Sequence, residues 1–219
     1  MKELRFSDAI STSFKLAINQ FWSVLGAILL WIITIWIPYI NVGTTIGLVR
    51  LQIKLGRGEK ISADDIFNAE NRIPMGKMFL LWSFVTTGII IGTIFFIIPG
   101  IVLWYAWFLS SMLILDKKLD PIQAMSKSYD LTYGYKWLIF FITLAINFIY
   151  GVTSVLTDPN TWNITADIDM AYYYYTYNPP LYFFLLLLTI GVSLIGGVWL
   201  MAAYGRIYSV LSGGKKSKK

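Results

Sequence analysis

The sequence predicts an all-α, polytopic integral membrane protein: six transmembrane helices, amphipathic helices on the inner face, and a parallel internal repeat. Three observations carry this. Of 219 residues, 57% are hydrophobic and only 14% are charged, against roughly 25% charged in a soluble domain. Apolar runs of span length, about 17–25 residues, recur along the chain. The basic residues cluster between alternate runs. The sequence has no Cys and no His, which removes thiol nucleophiles, disulfides, Ser-His and Cys-His triads, and metal held by thiolate or imidazole.

The elements follow in order. Residues 4–19 read as an amphipathic helix, with Phe6, Ile10, Phe14 and Ile18 near the helical period and Ser7, Asp8, Ser11, Thr12 and Lys15 opposite. It is expected to lie along the inner interface and feed the first span, 21–37. That run is too long for a signal peptide, and no small-residue cleavage pattern follows it. Pro38, Tyr39, Ile40 and Asn41 turn the chain, because Pro cannot continue a helix. Residues 42–56 return as a second, marginal span with Arg50 and Lys54 in its last two turns. Ser62 begins an N-cap pattern with Asp64 and Asp65, so a short helix through Ile66 and Phe67 is expected. The uncharged stretch 78–115 is too long for one span and right for two. Pro99 and Gly100 are the expected turn between spans 78–98 and 101–115. Asp120, Pro121 and Gln123 form a helix start, and Ile122, Met125 and Tyr129 mark the apolar face of the helix that follows. Residues 137–157 are the fifth span. Pro179 and Pro180 precede the sixth, 181–211.

Charge placement supports this count. With six spans and the amino terminus inside, all 18 Lys and Arg fall on the inner side, as the positive-inside rule requires. Lys2, Arg5 and Lys15 precede the first span, and Arg50, Lys54, Arg57, Lys60, Arg72 and Lys77 lie at or between the second and third. Lys117, Lys118, Lys127 and Lys136 separate the fourth and fifth, and Arg206 with the four tail lysines closes the chain. An odd count moves basic clusters outside. The expected location is the cell membrane, with both termini cytoplasmic. The long outer connection, 158–180, carries Asp158, Asp167 and Asp169 and no base. Its aromatic residues, Trp162, Tyr172–Tyr175 and Tyr177, suit the outer membrane surface, and Asn163 begins a glycosylation pattern that matters only in a secretory pathway.

The amphipathic helix recurs. Ala9, Ser11, Ser13, Leu16 and Trp22 match Ala124, Ser126, Ser128, Leu131 and Trp137 at one constant offset. The ends of the second and sixth spans align too, with Arg50, Leu55, Gly58 and Lys60 matching Arg206, Leu211, Gly214 and Lys216. The expected organisation is a single membrane domain, 1–211. Repeat copy one covers about 4–60, a central hairpin about 73–115, and copy two about 119–216; 212–219 is a flexible basic tail.

Arg50 and Arg206 are the leading candidate site residues, because an ionisable group within a span is costly, about 2.5–3.5 kcal/mol at the centre. Snorkelling to the inner headgroups is one reading of Arg50. Binding of lipid phosphate, or pairing with a carboxylate, is the other, and Asp116 at the end of the fourth span is the expected partner. The spans otherwise hold no Asp, Glu or Lys apart from Lys54, which weighs against ion-coupled transport. No metal site, cofactor or catalytic constellation is expected. The close acidic pairs, Asp64 with Asp65 and Asp116 with Asp120, have capping or solvation explanations.

A resemblance adds to this reading. Ile98-Pro99-Gly100-Ile101, Asp116, Ala124-Met125-Ser126-Lys127-Ser128 and Gly134-Tyr135-Lys136-Trp137, ending at Phe140, stand in an order and spacing similar to a broad family of uncharacterised prokaryotic six-span proteins. The same stretch resembles the membrane domain attached to some glycerophosphoryl diester phosphodiesterases. The resemblance covers 98–140; the first two spans match in layout only. It implies a helical domain in a cell membrane, with Asp116 as a span end, Ala124 and Ser128 in helix packing and Gly134 as a helix stop. It implies no catalytic residues, because in the phosphodiesterase members the chemistry belongs to a separate soluble domain.

The expected function is a non-catalytic accessory or scaffold protein of the membrane. Its expected partners are membrane lipids, anionic ones among them, and a membrane protein or a second copy of the chain; nucleic acid is not expected. The alternative is a passive channel or exporter of lipid or a small molecule, its path lined by Gly43–Gly47, Thr86-Thr87-Gly88, Gly191, Gly196 and Gly197.

Overall fold

The computed structural model describes residues 4–158 and 178–213. The outer connection with its tyrosines, Asn163, Asp167 and Asp169, and the lysines of the tail, lie outside the described residues. The described chain is all-helical: α1 (Phe6–Asn19), α2 (Phe21–Thr34), α3 (Ile40–Arg57), α4 (Met75–Phe95), α5 (Ile97–Trp107), α6 (Ser110–Lys117), α7 (Pro121–Thr132), α8 (Lys136–Thr157) and α9 (Pro179–Leu211). Two short 3-10 turns, Ala63–Phe67 and Ala69–Asn71, join α3 to α4.

Four stretches are long and apolar enough to cross a membrane: α4, the α5–α6 run Ile97–Lys117, α8 and α9. The pair α1 and α2 makes a fifth if taken together, although it bends by 76°. Alone, α2 has 14 residues, about 21 Å at helical rise. The third helix is longer but carries Arg50, Lys54 and Arg57.

The expected turn at Pro38 is present. Tyr39 takes a positive φ of 72°, and Asn41 Nδ2 donates to the Ile35 carbonyl at 2.9 Å. Trp31 Nε1 donates to Thr45 Oγ1 at 2.9 Å, and the Thr34 and Thr44 hydroxyls meet at 3.1 Å, so hydrogen bonds stitch α2 to α3. The helix start at Asp120 is a capping box with Pro121 in the first turn, and Ser62 with Asp65 forms a second box.

The turn between α4 and α5 falls elsewhere than expected. Phe96 is the extended residue (φ −160°, ψ 143°), and Pro99 and Gly100 lie within the first turns of α5. Pro is tolerated there because a first-turn N–H has no intrahelical acceptor to lose. Gly100 serves packing: a Cβ on it would collide with the Thr93 side chain of α4.

The faces that α1 and α7 turn inward carry mainly small residues. In α1 the buried residues are Ala9, Ser13 and Ala17, while Phe6, Phe14 and Ile18 are exposed. In α7, Ala124, Ser128 and Thr132 are buried, while Ile122 and Tyr129 are exposed. The small residues allow close approach to neighbouring helices. Ser13 accepts from Trp199 Nε1 of α9 at 2.9 Å, and Ser128 Oγ donates to the Ala106 carbonyl of α5 at 2.6 Å, beside the break between α5 and α6. Positions matched by sequence thus share their burial. Trp22 and Trp137, also matched, are 80% and 74% exposed.

Two residues organise the centre. Gly56 of α3 and Gly205 of α9 face each other so closely that a Cβ on either would overlap the backbone of the partner helix. Around this crossing, Leu51, Leu55, Ala202, Ala203 and Ile207 are buried. The ninth helix has 33 residues, about 50 Å, against roughly 30 Å of bilayer hydrocarbon. Its buried residues all lie between Gly196 and Val210, where α1 and α3 pack.

Gly205→Ala is expected to lower stability by about 1–3 kcal/mol, the usual cost of overpacking, read as a lower thermal midpoint in detergent. Gly197→Ala, with open space around its Cβ position, should leave the midpoint unchanged or raise it. Equal midpoints for the two variants would remove the crossing from its central place.

Candidate functional site

The third helix presents Arg50, Lys54 and Arg57 on one side, at near-helical spacing. Each finds a carboxylate from a different place. Arg50 Nε donates to Asn71 Oδ1 at 2.9 Å, and its Nη1 stands 3.6 Å from Glu70. Lys54 Nζ meets Asp65 at 2.9 Å. Arg57 Nη2 meets Asp116 Oδ1 at 2.6 Å. The buried Asn71 amide also donates to the Asp65 and Ile66 carbonyls, at 3.3 and 3.0 Å, tying the two 3-10 turns together. Gly47 permits this docking, since a Cβ there would stand 2.6 Å from Ile66 Cα. Gln20, between α1 and α2, holds the start of the same connection: its Nε2 donates to the Glu59 carbonyl and its Oε1 accepts from Ile61 N–H.

The expected Asp116 partner of the arginine pair therefore belongs to a third arginine. Asp116 receives Arg57, and the Tyr208 hydroxyl donates to its Oδ2 at 2.7 Å. Lys117 lies 3.4 Å away. This cluster joins α3, α6 and α9. Arg206 pairs with Asp8 of α1 at 2.8 Å. Arg50 and Arg206 do not converge: Arg206 adjoins the Gly56–Gly205 crossing, while Arg50 lies six residues from it along α3, about 9 Å. Arg57, Tyr208 and Asp8 were not singled out from sequence. Arg57 sits three residues after Lys54 and seven after Arg50, and that spacing was a readable signal. Nothing in the sequence pointed to Tyr208.

What Arg50 does line is a groove of about 420 Å³ between α3, the start of α4 and the end of α6. Arg50, Lys77 and Lys118 supply three cations, Glu70 beside Arg50 supplies one carboxylate, and Ile73, Pro74, Ile114 and Leu115 supply apolar wall. Lys77 reaches Asp120 at 2.6 Å. Lys118 has no carboxylate within salt-bridge distance among the described residues. It holds a left-handed backbone conformation, φ 55°, sparsely populated by residues other than Gly and Asn. Ile73 stands 84% exposed at this groove. Positive charge beside exposed apolar surface suits an anion that carries hydrocarbon.

The glycines weighed as a path are mostly packing positions. A Cβ would stand 2.6 Å from Ile66 at Gly47, from Trp107 at Gly88, and from Tyr150 at Gly196; Gly191 and Gly197 face open space. Among the described residues there is no cluster of His, Cys, Asp and Glu able to hold a metal. The chain matches no protein-family model, no curated protein and no solved structure.

Two outcomes follow. Asp116→Asn should cost about 3 kcal/mol, because it leaves Arg57 half-buried without its counter-charge, and the thermal midpoint in detergent reads this. The Lys54 hydrogen bond holds the Asp65 carboxyl below the usual carboxylate range, with burial opposing and the Ser62 N–H assisting. Its stabilisation is therefore present above the ordinary carboxylate value and lost as pH falls through the depressed one. In unfolding scans between pH 7 and about pH 3, Asp65→Asn should show a shallower acid decline than the parent chain. A superimposable decline would mean that the contact does not contribute.

Proposed function

We propose that this protein is a non-catalytic accessory protein of the cell membrane that organises anionic lipid at its inner face. The headgroup phosphate lies in the groove of Arg50, Lys77 and Lys118. The observation that carries this reading is the convergence of three cations against one carboxylate, Glu70, on an open, partly apolar groove, with Lys118 lacking a carboxylate within salt-bridge distance among the described residues. Lysine and arginine near an anionic membrane surface each contribute about 1 kcal/mol, and arginine offers a planar fork for phosphate.

The surrounding architecture supports this placement. In the six-span reading α2 and α3 form the first hairpin, and the basic ends of α3, α6 and α9 gather on the cytoplasmic side. The helices α1 and α7 lie at the inner interface with Phe6, Phe14, Ile18, Ile122 and Tyr129 against lipid and their small faces against the bundle. Trp22 and Trp137 then stand at the boundary, where indole rings are favoured. The shared burial of α1 and α7 accords with two parallel copies of an interfacial helix followed by spans. Arg206 has a structural part here, tying α1 to α9 through Asp8, and the phosphate role rests with Arg50.

Native mass spectrometry of the protein in mixed lipid tests the site. The parent chain should retain phosphatidylglycerol over phosphatidylcholine. Lys118→Gln with Arg50→Gln should weaken that preference by about 2 kcal/mol, roughly thirty-fold. Arg206→Gln should keep it. Unchanged preference in the double variant rejects the groove. Topology is tested separately, since the sequence has no Cys to remove. Cysteines placed at Glu59 and Lys118 should react with an impermeant thiol reagent only from inside, and one at Tyr39 only from outside. Reaction of all three from one face rejects the six-span arrangement.

A further inference from the structure

A second groove lies along α5 and shares no lining residue with the phosphate site. Two adjoining cavities, of about 550 and 330 Å³, share Ile101, Tyr105 and Phe140 in their walls. Their α5 lining runs from Ile97 to Tyr105, about 12 Å at helical rise. That covers most of the roughly 15 Å hydrocarbon depth of one leaflet, half of a core about 30 Å thick.

The polar atoms of this groove are distributed unevenly. Within it, the Tyr105 hydroxyl meets Thr143 Oγ1 at 3.1 Å, and Thr93 Oγ1 donates to the Ile89 carbonyl at 2.8 Å. These groups are satisfied and offer a ligand little. The wall is otherwise aliphatic and aromatic, with Phe140 set edge-on to Tyr105 at 5.9 Å. Lys136 is different. The turn at Gly134, φ +80°, carries the chain from α7 into α8 and places Tyr133 and Lys136 together in the groove lining. The Lys136 ammonium stands 4.4 Å from the centre of the Tyr129 ring and 5.5 Å from that of Tyr133. Among the described residues it has no carboxylate partner. Cation–π contact holds the charge in place and leaves its N–H donors for an anion.

We infer that this groove between α5 and α8 binds a single-chain anionic amphiphile, a long-chain carboxylate, with its tail along α5 and its carboxylate on Lys136. A single ammonium matches a monoanionic head, whereas the phosphate groove gathers three cations around one carboxylate. One apolar groove running through most of a leaflet's depth matches one chain. The inference is independent of the phosphate site and stands or falls without it.

The test uses the full-length protein in phosphatidylcholine nanodiscs with two photoactivatable probes: a long-chain fatty acid carrying a mid-chain diazirine, and the matching fatty alcohol. The acid should crosslink mainly to α5 and the start of α8. Lys136→Gln should reduce labelling by the acid about tenfold, the loss of one charge-assisted contact, and leave labelling by the alcohol unchanged. Val102→Trp, which fills the groove, should reduce both; Ile101→Phe replaces it if that variant does not fold. Arg50→Gln with Lys118→Gln should label as the parent does, which separates this site from the phosphate groove. Crosslinks spread evenly over every lipid-facing helix would overturn the proposal, and so would equal response of acid and alcohol to Lys136→Gln. Displacement of the label by phosphatidylglycerol but not by unlabelled fatty acid would assign the groove to a phospholipid. Labelling that appears only when single copies are isolated would overturn the proposal and assign the groove to a second copy of the chain.

Discussion

The third helix carries Arg50, Lys54 and Arg57 within about two turns, and it packs at the centre of the bundle against α9. Charge in an environment that excludes water has to be matched locally, since the desolvation cost per ion is several kcal/mol. Here the matching determines what surrounds α3. Asp65, Glu70 and Asn71 bring the 3-10 connection onto one part of its face. Asp116 brings the end of α6, and Tyr208 on the same carboxylate brings α9. Gly47 and Gly56 make the approach sterically feasible at the two places where backbone meets backbone. The groove beside Arg50 exists because α4 and α6 are drawn to the same helix and meet α3 without closing over it.

A second constraint is the nature of the surroundings. In water an amphipathic helix buries its large apolar residues and exposes its small and polar ones. In α1 and α7 the most deeply buried positions are mainly alanine, serine and threonine, with Ile10, Leu16, Met125 and Leu131 partly buried beside them, while Phe6, Phe14, Ile18, Ile122 and Tyr129 are exposed. Where lipid is the solvent, burial of large apolar groups gives no advantage over exposure, and close backbone approach decides the interface. The hydroxyls gain partners on the way: Ser13 accepts from Trp199, and Ser128 donates to the Ala106 carbonyl.

The two arginines that align by sequence show how like positions diverge. Arg206 meets a carboxylate on α1, in the packed part of α9, and is consumed in structure. Arg50 meets Asn71 and a largely exposed Glu70, and its groove stays open. The difference comes from the 3-10 connection after α3, which supplies neutral and solvent-facing partners where α1 supplies Asp8. The phosphate reading follows this difference in environment.

Composition and periodicity alone were enough to establish an all-helical chain with several membrane-length apolar stretches, because these depend on local hydropathy and on helix-starting residues such as Asp120 and Pro121. The helix boundaries at Pro38 and Asp120 were legible for the same reason. The turn between α4 and α5 was misplaced by three residues because Pro is both a helix breaker and a favoured first-turn residue, and only the extended Phe96 separates the two uses. Arg50 could be recognised as costly from sequence, but not its partner. Asp116, at the end of the fourth span, was the expected partner, while Asn71 and Glu70 lie in a connection whose path depends on Gly47. Which charge meets which, which helix face turns inward, and whether a groove stays open depend on contacts between residues distant in the chain. Local patterns cannot encode such contacts, so the tertiary structure alone decided them.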